Sequence, residues 1–74
     1  MNENEQLLAL CQALRAARMK LGHSQDSYAD SINMHRAYYS ALERGEKNIT
    51  FKTLCKVTMG LGISPSALLK SAGL

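Results

Sequence analysis

An all-α fold, a bundle of five short helices forming one domain over residues 1–74, is what this sequence predicts. Three observations carry the expectation. Apolar residues recur at three- and four-residue spacing in successive segments, and no stretch shows the two-residue alternation of a strand. The gaps between these segments hold residues that start and stop helices: Gly22, Ser24, Asn33, Gly45, Thr50, Gly62 and the pair Ser64-Pro65. Finally, Ser24 to Gly45 reads as two short helices joined by a tight turn, with inward apolar positions at Tyr28, Ala29, Ile32, Met34, Tyr39 and Leu42.

The first helix is expected from about Glu5 to Leu21, because Leu7, Leu10, Cys11, Leu14, Ala17, Arg18 and Leu21 fall on one face. Gly22 then serves as a left-handed cap. Ser24 caps the second helix, whose first turn gains Asp26 near the positive end of the helix dipole. Asn33 ends it, since asparagine tolerates a left-handed turn. The third helix runs from Arg36 to about Arg44 and stops at Gly45. Glu46 to Ile49 form a loop. Thr50 caps a fourth helix whose buried side is Phe51, Leu54, Cys55, Val57, Thr58 and Leu61, with Gly62 as its stop. Ser64-Pro65 opens a short fifth helix to about Ser71, because proline at the first helical position gives up an amide that would be unpaired there anyway.

At 74 residues the chain buries only about 60% of its unfolded surface, so a partner chain that adds burial would matter to its stability. No apolar run approaches the roughly 18 residues needed to span a membrane, and the polar Met1–Gln6 stretch resembles no targeting peptide, so a cytoplasmic location is expected. Cys11 and Cys55 lie far apart in apolar helical patterns, without metal spacing, and are read as two buried thiols. His23 and His35 fall in caps or loops with no carboxylate set beside them, and no phosphate loop or nucleophile elbow is present. A non-enzyme is expected, without metal, cofactor or small-molecule ligand. Charge is uneven. Beyond residue 30, six bases stand against two acids, whereas the first 30 residues carry three bases and four acids. A basic half of this kind suits phosphate binding.

The stretch from Ser24 to Gly45 resembles the Cro/C1-type helix-turn-helix family of phage repressors, restriction–modification controller proteins and related small regulators. In that family Ser-Gln opens the first helix of the motif and Glu-Arg-Gly closes the second. Both are present here, as Ser24-Gln25 and Glu43-Arg44-Gly45. The pattern Arg36-x-Tyr38-x-Ser40-x-x-Glu43-Arg44 is nearer still to the controller proteins, and the similarity runs from about Leu7 to Leu69. Two positions depart: Asn33 replaces the usual glycine of the turn, and Tyr39 a usual isoleucine or valine, which puts a larger ring into the core. The resemblance implies a lambda repressor-like DNA-binding domain. It also implies that an arginine of the first helix pairs with the glutamate of Glu-Arg-Gly, here Arg18 and Glu43. Arg18 lies on the apolar side of its helix, where an unpaired charge is costly, which points to the same pair.

The third helix leaves Arg36, Ala37, Ser40, Ala41 and Arg44 on its free face, a set suited to the major groove. Arg36, at its N-terminal end, can donate two bonds to guanine O6 and N7, and Ala37 can meet a thymine methyl. Ser40, His35 and Tyr38 are further candidates for base contact. Phosphate contacts are expected from Gln25, Arg44, Lys47, Asn48, Thr50 and Lys52, the last four flanking the groove by resemblance.

Two of these protomers would read a palindrome, and Ile63, Leu68, Leu69 and Leu74 offer more apolar surface than a short last helix covers, so they are the expected homodimer interface. With no further domain in the 74 residues, occupancy would follow protein concentration, as in an autoregulating repressor or controller. The competing reading is an antitoxin-like module that masks another protein, betrayed by a large apolar groove unrelated to self-association. RNA binding is disfavoured because no aromatic stacking platform is evident.

Overall fold

Five helices run through the chain in order, α1 (Glu3–Lys20), α2 (Gln25–Ser31), α3 (Arg36–Glu43), α4 (Phe51–Met59) and α5 (Pro65–Ser71), in a computed structural model that describes residues 1–74. The all-α expectation holds, and the boundaries move only where capping chemistry moves them. Asn2 starts α1 two residues earlier than the apolar spacing suggests, its side chain accepting the amide of Glu5 at 2.9 Å. Asn at the cap with Glu three residues on is the capping-box arrangement, a signal the apolar pattern alone overlooks. Ser24, Thr50 and Ser64 cap α2, α4 and α5 as their types require, accepting the amides of Ser27, Thr53 and Ala67.

The turn between α2 and α3 is where Asn33 matters. It sits at φ 55°, the left-handed region. The amide of Met34 then reaches back to the carbonyl of Ala29 at 2.9 Å, and that of Asn33 to Asp30 at 3.1 Å. This pair of bonds is a Schellman closure with Asn33 at its left-handed position, and it ends α2 at Ser31. From α4, Lys56 donates to the Asn33 carbonyl at 3.1 Å and pins the turn from outside.

Every helix contributes to one core: Leu10 and Leu14 from α1, Tyr28 and Ala29 from α2, Tyr39 and Leu42 from α3, Leu54 and Val57 from α4, Leu68 from α5, with Ile32 and Leu61 from the connections. The Tyr28 and Tyr39 rings meet at 5.4 Å, inclined by 60°. Buried phenols need partners. Tyr28 donates its hydroxyl to the carbonyl of Val57, tying α2 to α4, and burial pushes its phenol up to about 12. α1 crosses beneath α3 and packs along α5, α2 lies against α3, and α4 lies against α5.

Four core assignments need correction. Leu21 is exposed because it sits at the C-cap, past the last turn that the bundle covers. Phe51, the first residue of α4, is 73% exposed: the helical period puts it in line with Leu54, but the core stops short of it. Cys11 is buried, whereas Cys55 is only half-buried. Ala41, expected on the free face, is buried, since the chain after α3 folds back and the amide of Glu46 bonds the Ala41 carbonyl at 3.0 Å.

Gly60 has ordinary right-handed backbone angles, so its need for glycine is steric. A Cβ there would lie 2.5 Å from Ile32 Cγ2 and 2.7 Å from the Tyr28 hydroxyl. Gly60→Ala is therefore expected to cost about 1–3 kcal/mol through overpacking. The measurement is thermal unfolding at fixed protein concentration, and an unchanged midpoint would show that α4 shifts freely at this end.

Candidate nucleic-acid interface

Glu43 is the anchor on which α3 is set. Its carboxylate lies buried between three helices and accepts four donors. Arg18 from α1 takes both oxygens, Nε to Oε2 at 2.6 Å and Nη2 to Oε1 at 3.0 Å. The Tyr39 hydroxyl, one turn earlier on α3, donates to Oε2 at 2.5 Å. Gln25 Nε2, at the start of α2, donates to Oε1 at 3.0 Å. Burial alone would push this carboxyl up, but the bonds from Arg18, Tyr39 and Gln25 outweigh it and hold it below its ordinary range. Arg18 spends its remaining nitrogen on the His23 carbonyl at 2.8 Å, so the pair is fully satisfied.

The arrangement also accounts for Tyr39. The ring stands at the expected inward position, fully buried, and its hydroxyl becomes a second-row support for Glu43. Burial pushes that phenol well up, and the carboxylate beside it adds to the shift. The ring's size signals that it is core, whereas the use of its oxygen depends on a neighbour four residues along.

With its inner side locked, α3 presents the other. Its first turn, Arg36, Ala37 and Tyr38, is exposed, and the His35 ring in front of it makes no capping bond and is exposed too. In helix-turn-helix docking the first turn of the second helix is the part that meets base edges. Arg36 stands at its tip, held by carboxylates of α2: Nε to Asp30 Oδ1 at 3.1 Å and Nη2 to Asp30 Oδ2 at 2.6 Å, with Asp26 Oδ2 3.5 Å from Nη1. Asp30 holds the Arg36 pKa up, and Arg36 holds that of Asp30 down.

The remaining expected DNA contacts divide into occupied and open groups. Gln25, expected as a phosphate clamp, has both ends of its side chain engaged inside the motif, the second as acceptor of Ser40 Oγ at 3.1 Å. What it offers a phosphate is the unpaired amide that every first helical residue has. Arg44 donates to Glu46 through Nε at 2.8 Å and Nη2 at 3.1 Å, and to Ser40 Oγ through Nη1 at 2.6 Å. The Thr50 hydroxyl is taken up by its own cap and by Thr53. Lys47 and Asn48, in the loop after α3, and Lys52, in the first turn of α4, are exposed. Asp26 and Asp30 are neighbours of Arg36 that the sequence does not announce. Their spacing of four on α2 is visible in the chain, but which residue of α3 they meet depends on the angle of the turn.

The expected dimer residues also separate. Leu68 is 1% exposed and belongs to the core of its own protomer, so it is not available to a partner. The last helix is short and gives its central leucine to the core of the bundle. Leu69 is half-buried against that core, while Ile63 and Leu74 remain exposed. Ile63 lines an apolar groove of about 610 Å³ between α1 and α5, together with Ala13, Ala17, Leu21, Leu61 and Ala67. No helix is long and apolar enough to cross a membrane.

The sequence pattern of a family described as helix-turn-helix matches residues 14–68. Among curated proteins the chain is similar to control protein C.MunI of Mycoplasma sp, at 44% identity over 45 residues, which spans 61% of each chain and so under two thirds of that relative. Control protein C.BamHI of Bacillus amyloliquefaciens is 36% identical over 59 residues, 78% of this chain and 73% of that one. Control protein C.SmaI of Serratia marcescens is 34% identical over 65 residues, covering 88% and 77%. Among solved structures, the clp gene regulator ClgR from C. glutamicum superposes with a TM-score of 0.85 at 32% identity, over 92% of this chain and 87% of that one.

Proposed function

The chain belongs to the helix-turn-helix family of DNA-binding regulators, and from that premise we propose that it is a cytoplasmic, homodimeric transcription factor that reads a palindromic operator and regulates its own expression. The observation that carries the reading is the split character of α3. One side is bolted to α1 and α2 through Glu43, and the first turn stands free with Arg36, Ala37 and Tyr38 outward. A rigid helix with an exposed N-terminal turn is what base reading in a major groove needs. Lys47 and Lys52, exposed after α3 and at the start of α4, would supply positive charge for the phosphates that set the protein's register.

Self-association draws on the groove beside Ile63, where burying the same patch twice about a two-fold axis would cover the exposed side chains left over by the short α5. Half-site centres would then lie about 34–36 Å apart, one helical turn of DNA. Autoregulation is supported by likeness to proteins named as control proteins.

The test is a footprint on the DNA immediately upstream of the coding sequence, repeated across a salt series. Two inverted half-sites should be protected. Lys47→Ala and Lys52→Ala should weaken binding to all duplexes alike, flattening the plot of log affinity against log salt by about one unit per lost contact. An unprotected upstream region would remove autoregulation, and an unchanged slope would remove the two lysines from the footprint.

A further inference from the structure

Asp26 and Asp30 present a difficulty for a DNA-binding surface. They lie one turn apart on the outer side of α2, directly beside the first turn of α3, with more than half of each side chain exposed. Carboxylates in that place repel the phosphates that the basic flanks attract. An exposed ion pair adds little to folding, so stability does not explain the arrangement.

The geometry of the pair does. Asp30 grips Arg36 side-on, through Nε at 3.1 Å and Nη2 at 2.6 Å. A guanidinium carries five N–H donors in a rigid plane. Side-on pairing uses the Nε–H and one N–H of Nη2, leaving the end-on edge of Nη1 and Nη2 intact. Asp26 Oδ2 pairs with Nη1 only at 3.5 Å, as an ion-pair contact without a hydrogen bond. Two parallel N–H donors at that spacing match guanine O6 and N7. Arg44 provides the contrast. It grips Glu46 in the same side-on manner, but its Nη1 donates to Ser40, so its outer edge is engaged.

We propose that Asp30 is a positioning residue for base recognition, holding the guanidinium of Arg36 plane-fixed and edge-out so that its free edge reads a guanine in the major groove. The carboxylate also offsets the charge of Arg36, which lowers its attraction to the phosphates on either side and favours the base over the backbone. Docking expels water from around the pair and strengthens its internal bonds at the moment of reading. The inference rests on the operator-binding reading given above.

The experiment is selection of binding sites from a pool of duplexes randomised over 24 base pairs, with wild type, Arg36→Ala, Asp30→Ala and Asp30→Asn, each checked for folding by thermal unfolding. Wild type should enrich a guanine at one position of each half-site, and Arg36→Ala should lose it. Asp30→Ala should keep the rest of the consensus while its preference for that one guanine falls about tenfold, and it should bind unselected DNA more tightly because a negative charge has gone. Asp30→Asn, which keeps the shape and one acceptor oxygen, should fall between and serves if the alanine variant folds poorly. A guanine preference unchanged or sharpened in both Asp30 variants would overturn the positioning role and make Asp30 a competitor for Arg36. An equal loss at every position would overturn it in favour of a general effect on α2. A wild type that enriches no consensus would overturn the operator reading itself.

Discussion

Replacing Arg18 by methionine is expected to destabilise the domain by about 3–5 kcal/mol, because it leaves the Glu43 carboxylate buried without its cation. That is a large fraction of the 5–15 kcal/mol typical of whole domains, so the variant should be substantially unfolded at ordinary temperatures. Removing both charges together, as Arg18→Met with Glu43→Met, should recover part of the loss but not all of it. The Tyr39 hydroxyl and the Gln25 amide would still have lost their acceptor, and a buried unpaired hydroxyl costs about 1–3 kcal/mol. Adding Tyr39→Phe should restore a further share. The measurement is urea unfolding at one protein concentration, and a loss below 1 kcal/mol for Arg18→Met would show that the pair is not structural. Acid should weaken the same anchor. The folded-state pKa of Glu43 is depressed below its ordinary 4.5, so its contribution is complete above that value and is lost as pH falls below 4.5 through the depressed folded value. Glu43→Gln should remove this part of the acid sensitivity.

Ile63→Glu is expected to yield a folded monomer whose affinity for the full palindrome falls by about 10²–10⁴-fold. The second half-site is then no longer bound as an intramolecular event, and that multiplier is the one that linkage supplies. Ile63 is the position to test because it is exposed, lines the α1–α5 groove and lies outside the core cluster. A charge at Leu69 would also disturb the core that it packs against. Sedimentation at micromolar concentration gives the assembly state, circular dichroism the fold, and titration with one-site and two-site duplexes the loss. A wild type that is monomeric there and binds an isolated half-site as tightly as the palindrome would exclude the dimer.

Much of this architecture is legible in the chain, and the parts that are not share a physical cause. Helix ends announce themselves through local chemistry: a serine or threonine cap, Ser64-Pro65, an asparagine able to turn left-handed. The need of Arg18 for a partner is legible as well, since a cation on an apolar stripe demands one, and the family resemblance is what points to Glu43. Phe51, Leu21 and Ala41 go astray because periodicity says which way a side chain points from its own axis, not where the neighbouring elements end. The partners of Gln25 and Asp30 are not legible in the chain, for a related reason. These partners, Ser40 and Arg36, lie across the turn, 15 and 6 residues away, and only the crossing of α2 and α3 decides who meets whom. Leu68 shows the limit of counting apolar side chains, because a seven-residue helix commits its central one inward.

The division of α3 has a consequence for how such a protein changes over generations. The residues that keep the domain alive, Tyr39, Leu42 and Glu43, and those proposed to choose the target, Arg36 to Tyr38, occupy one short helix, yet the former are buried and the latter exposed. New letters can be written at the tip while the hinge pin behind it stays untouched. A duplicated copy can therefore drift to a different address by a few point changes, without passing through an unfolded ancestor on the way.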